Sequence, residues 1–121
     1  MTLVDLHHAW AWVTIVANAV AGTWSLAAHW IPALRRRQLW WFVGAAEVTI
    51  FVQVLLGVAI IDSSQFGAAS FHMFYGFVAL ITVGLLFAYR QSLVAWMYLL
   101  YGLGGLFLMG LCIRAMLIKP F

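Results

Sequence analysis

The stretch Leu39–Ile61, LWWFVGAAEVTIFVQVLLGVAII, decides the fold. Glu47 is its only formally charged residue. A run this long is too long for a barrel strand, and backbone groups in hydrocarbon must be satisfied within the segment. It reads as a transmembrane helix. Asp62, Ser63 and Ser64 stop it. Three further runs of the same kind flank it, at about 9–31, 71–89 and 93–117. Pro32 with Arg35, Arg36 and Arg37 closes the first, Arg90 the third, and Lys119 with Pro120 the fourth.

Composition agrees. The chain has 121 residues, 67% of them hydrophobic and only 7% charged. Average soluble chains are about a quarter charged, so this chain cannot clothe a soluble core. A span takes about 20 residues, and four of them with short turns use nearly the whole chain. The expectation is one membrane domain over residues 1–121, an all-α up-down-up-down four-helix bundle. The segment Met1–His8 carries Asp5 and no basic cluster, so the first run reads as a retained helix and not a secretory signal. Cys112 is the single cysteine and permits no internal disulfide. The net charge is only +3. Without a soluble basic face this implies no nucleic-acid partner.

The turns give an orientation. Arg35, Arg36, Arg37 and Arg90 fall on one side of four spans; Asp5, Asp62, Arg114 and Lys119 fall on the other. The excess of cations marks the first side as cytoplasmic, with both termini outside the inner membrane. Trp30, Trp40, Trp41, Tyr89 and Trp96 form an inner aromatic belt, and Trp10, Trp12, Phe71 and Phe74 an outer one.

Ionisable groups inside a membrane are costly and mark candidate sites. His8 opens the first helix and His72 the third. These helices run parallel and diagonal in the bundle, so the two imidazoles lie at one depth on opposite walls, as a bis-histidine haem requires. Gly76, one turn after His72, leaves room for a porphyrin edge. Steps of 3.6 residues from His8 pass Ile15 and Gly22 to His29, flanked by Asn18 and Ser25, a face expected to point inward. Arg114 would meet a haem propionate. His7 is expected in the headgroup layer, and Met73 is expected to point away from the site. A zinc or copper site is disfavoured, because no thiolate pair exists and few imidazoles are available.

Glu47 lies about nine residues into its helix, roughly 13 Å from the inner end. That is near the midplane of a hydrocarbon core about 30 Å thick. One reading makes it a proton-relay or quinone-contact group linked to His29. The other makes it a neutral side chain bonded to a helix carbonyl, Asn18 or Gln53. Gly102, Gly104, Gly105 and Gly110 let the fourth helix approach a neighbour closely. No hydrolytic triad, phosphate loop or paired-carboxylate motif is present, which argues against an enzyme acting alone.

With His8, His72, Gly76 and the Gln53-x-x-x-Gly57 segment in four spans, the chain resembles small four-helix b-type haem membrane proteins, the cytochrome b561 class or one half of a haem A synthase. The resemblance implies one b-type haem near the outer face, ligated by His8 and His72, in an electron-transfer subunit working with a quinone or a redox partner protein. The cytochrome b561 class carries two haems; here His29 has no second inner-side histidine, so one haem is expected. Half of the synthase domain pair is missing, which speaks against synthase activity. The chain length and single membrane carboxylate also resemble small multidrug-resistance transporters, with Glu47 on the second helix where that family uses the first. A third expectation is a cofactor-free accessory subunit of a larger respiratory-type membrane complex. Lipid, and other membrane subunits or a second copy, are the partners these readings imply.

Overall fold

The computed structural model describes residues 2–61 and 66–118, without the side chains of residues 66–69. Asp62, Ser63, Ser64, Lys119 and Pro120, read above as stop and topology signals, lie outside the described residues. Four helices follow one another: α1 Leu3–Trp30, α2 Arg37–Ile60, α3 Phe66–Tyr89 and α4 Met97–Leu117. Single 3-10 turns at Pro32–Leu34 and Val94–Trp96 precede α2 and α4. Each helix contributes a segment long and apolar enough to cross a membrane.

The start of α1 has a local cause. Thr2 and Asp5 form a capping box, with Thr2 Oγ1 accepting from the Asp5 amide and Asp5 Oδ2 accepting from the Thr2 amide, both at 3.1 Å. Two orphan amides are thereby satisfied. The helix begins six residues ahead of the apolar run, so His7 and His8 stand in its second turn. At the other end Arg35 turns back on α1. Its Nε donates to Ala28 O at 2.7 Å and its Nη2 to His29 O at 2.8 Å. A cation there satisfies end carbonyls and suits the negative end of the helix dipole.

Consecutive helices are antiparallel. Trp10 Nε1 donates to Thr49 O at 2.9 Å, and Trp24 Nε1 donates to Leu34 O at 3.0 Å, which aligns α1 against α2 and its leading turn. The first helix is the most enclosed. Its most apolar window is 44% buried inside the bundle, against 17% for both α2 and α3. The face of α1 that is buried is small and polar: Thr14, Asn18, Ala21, Ser25 and Ala28 are all nearly inaccessible. Asn18 satisfies its amide on Thr14 O at 2.9 Å and Ala46 O at 3.3 Å. Many large apolar side chains point outward, as with Trp41, Leu55 and Phe71, while Leu39, Ile50 and Leu108 fill the interior. Small residues at a helix seam and an apolar outer surface are what a lipid solvent favours.

Glycine closes α1 on α4. A Cβ at Gly22 would come within 2.7 Å of Leu106 N, one at Gly102 within 2.7 Å of Leu26 Cα, and one at Gly105 within 2.8 Å of Gly22 Cα. These contacts are backbone to backbone, so the small residues set the helix separation. The neighbour expected for the fourth helix is therefore α1 of the same chain. Gly104 instead accommodates the Leu86 side chain of α3, and Gly110 has open space beside it.

Candidate functional site

Where α1 and α3 face each other at the end of the bundle that carries the chain's first residues, the helices leave a cavity of about 480 Å³. That lies within the roughly 300–1,000 Å³ typical of cofactor and ligand pockets. Trp12, Tyr75 and Phe77 supply aromatic walls, and Ile50, Val54 and Leu111 supply aliphatic ones. Three histidines reach it: His7, His8 and His72.

His72 is fixed by the end of α4. Its Nδ1 lies 2.7 Å from Ala115 O and 3.0 Å from Ile118 O. Carbonyl oxygens only accept, so Nδ1 carries the ring proton and Nε2 keeps its lone pair. This is the arrangement that orients a metal-binding imidazole.

The imidazole nearest to His72 is His7. Their ring centroids are 5.8 Å apart at an interplanar angle of 67°. His7 is 6% exposed. Its place at a span end suggested a side chain out at the surface; it is packed inside the bundle instead. The capping box starts the helix early and turns this residue inward, in register with Thr14, Ala21 and Ala28 at steps of seven. His8 lies about 100° further round the helix, exposed at the rim of the same cavity. Ile15 and Gly22 of the His8–His29 line are buried with Asn18 and Ser25, as expected, and the inward face extends from them to His7, Thr14, Ala21 and Ala28. The signal that could have found His7 is Thr2-x-x-Asp5.

The wall opposite His7 comes from α2. A Cβ at Gly57 would stand 3.3 Å from His7 Cε1, so glycine leaves the ring its place. Gln53, one turn earlier, donates from Nε2 to His7 O at 2.8 Å. Gly76 lines the cavity as expected from its spacing after His72, with only Val54 Cγ2 at 3.9 Å from where a Cβ would stand. Met73 also lines it and does not point away.

Two imidazole nitrogens bound to opposite sides of one metal ion, at about 2 Å each, place the two rings about 6 Å apart. The His7–His72 spacing fits that requirement. Among the described residues no three histidine, cysteine or acidic side chains are grouped to hold a metal ion. This pair offers one ion two imidazoles, and any further ligands would come from outside it.

The other candidates lie elsewhere. Arg114 is exposed and does not line the cavity, although its neighbour Ala115 does. His29 lies at the opposite end of α1, stacked on Trp96 at 5.7 Å and edge-on to Trp30 at 4.7 Å. Glu47 is half-buried beside Asn18 and Tyr101 at a void of about 10 Å³. Asn18 and His29 are eleven residues apart on α1, roughly 16 Å, so His29 does not reach Glu47 directly. Nor do the amides expected to hold Glu47 do so: Asn18 donates to Thr14 O and Ala46 O, and Gln53 donates to His7 O.

The chain matches no family model, no curated protein and no solved structure.

Proposed function

We propose that this chain is a small membrane electron-transfer subunit that holds one b-type haem in the α1–α3 cavity, with His7 and His72 as the axial ligands. The observation that carries the reading is the 5.8 Å spacing of these two rings in a cavity of cofactor size. The proton on His72 Nδ1 adds support, because it leaves Nε2 free to bind a metal. Bound there, haem iron would supply a reversible one-electron couple.

The chain's own residues account for the rest. Ala115 O and Ile118 O hold the His72 ring in one orientation. Gly57 leaves room for the His7 ring. The aromatic and aliphatic walls exclude water and lower the local dielectric, a main determinant of potential. His8 stands at the rim, placed to meet an anionic edge of the cofactor, a part that exposed Arg114 does not share within the cavity.

In this reading the four helices lie in the inner membrane, with the Arg35–Arg37 turn and Arg90 on the cytoplasmic side. The haem then lies near the outer face, and the electron partner is a quinone or a second redox protein. The void at Glu47 has room for about one water. The reading is tested by a reduced-minus-oxidised absorption spectrum of the detergent-purified protein. A b-type signal is expected, and a folded but colourless protein would refute it.

A further inference from the structure

Beside the His7–His72 pair lie two buried polar atoms with no hydrogen-bond partner: His7 Nδ1 and Gln53 Oε1. Buried polar atoms are nearly always satisfied, so a neighbouring pair of exceptions calls for an explanation. The Gln53 amide is already anchored on this residue, because its Nε2 donates to His7 O at 2.8 Å. A carbonyl cannot donate, so Nε2 must face it. That fixes Oε1 as the atom left over, and Oε1 is a pure acceptor. The edge of the His7 ring, Cε1, faces Gly57, one turn further along α2. The ring therefore lies over the turn of α2 that Gln53 opens. Oε1 needs a donor, and His7 Nδ1, the other unpartnered atom of the pair, belongs to the residue whose carbonyl Gln53 already holds.

We propose that Gln53 is a positioning residue for His7: its Oε1 accepts the Nδ1 proton of His7 and holds the ring as the Nδ1–H tautomer, with the Nε2 lone pair free. Gln53 then grips His7 twice, through the main-chain carbonyl and through the ring. His72 is held in the same tautomer by Ala115 O and Ile118 O. The two imidazoles are thus prepared alike, one by a side-chain acceptor and the other by a helix end. An acceptor on the far nitrogen raises the basicity of a ligating imidazole and fixes its plane. The inference takes its purpose from the haem reading, but the tautomer itself does not depend on it.

The test is nitrogen NMR of the full chain in detergent, labelled with nitrogen-15 histidine, with the His7 signals identified by their loss in His7→Gln. In the wild-type protein His7 is expected as one dominant Nδ1–H species. Gln53→Leu and Gln53→Met both remove the acceptor, so that either folded variant decides; in them His7 is expected as a mixture with Nε2–H at about half or more. Gln53→Glu keeps an acceptor and is expected to restore the Nδ1–H form. In haem-loaded protein the apolar variants should also bind haem about tenfold more weakly and show a raised midpoint potential. A wild-type His7 found as Nε2–H, as a water donating to both orphan atoms would give, overturns the proposal. So does an unchanged tautomer in the apolar variants. A colourless wild-type protein whose tautomer follows Gln53 would refute the haem reading and leave this inference standing.

Discussion

The rings of His7 and His72 meet with their centroids 5.8 Å apart, although α1 and α3 make little other close contact in the bundle. Each ring is brought there by a third helix. The Gln53–Gly57 turn of α2 receives His7, and the last turn of α4 receives His72. The contact between these diagonal helices is thus supported by both of their neighbours.

Glycine should be needed more at 57 than at 76. In Gly57→Val the added atoms enter the space of the His7 ring, starting from a Cβ at 3.3 Å. Haem per chain after purification should fall severalfold. Gly76→Ala meets only Val54 Cγ2, at 3.9 Å, so the fold should hold and any loss of pigment should be smaller than in Gly57→Val. A stability change within about 1 kcal/mol, helix propensity included, is expected for Gly76→Ala. Pigment per protein, measured on both variants side by side, checks this pair.

The α1–α4 seam should tolerate no side chain. Gly102→Val sets a branched side chain against the Leu26 main chain, where even a Cβ would stand at 2.7 Å. A cost of about 1–3 kcal/mol is expected for such overpacking. Thermal unfolding in detergent should show it as a clear drop in midpoint. Gly44→Ala and Gly84→Ala face open space and should unfold with the wild-type protein.

Glu47 should be separable from the haem site. It borders the void shared with Asn18 and Tyr101 and not the histidine cavity. Glu47→Gln should therefore keep the full pigment and the wild-type absorption maxima. A loss of pigment in that variant, with the fold intact by circular dichroism, would place Glu47 inside the site.

Much of the architecture was legible because lipid leaves so few options. Four long apolar runs can only be helices, and short turns between them make neighbours antiparallel. That His72 and Gly76 would line one cavity was legible from their spacing at a span start. The burial of His7 was not. The apolar run of α1 begins at Ala9, and hydropathy is blind to the polar turns that Thr2 and Asp5 add ahead of it. Beginning the helix there carries the periodicity of the inward face, Thr14, Asn18, Ala21 and Ser25, back to His7, and His8 stands about 100° round from it. Arg114 was assigned to the cavity from depth alone, and depth carries no information about which way a helix face points. The seat of α4 against α1 was half legible: the glycines announced a close approach, but their partner, Gly22 with the Leu26 main chain, is a property of the packed bundle.

The central claim is that His7 and His72 hold one haem between them. The most direct measurement is haem per chain, by extraction and by the reduced-minus-oxidised spectrum, in the wild-type protein and in His7→Ala, His8→Ala and His72→Ala. The account predicts one haem per chain in the wild type and in His8→Ala, and loss of the pigment in His7→Ala and His72→Ala. A folded wild-type protein without haem, or full pigment retained when His7 is removed, would contradict it.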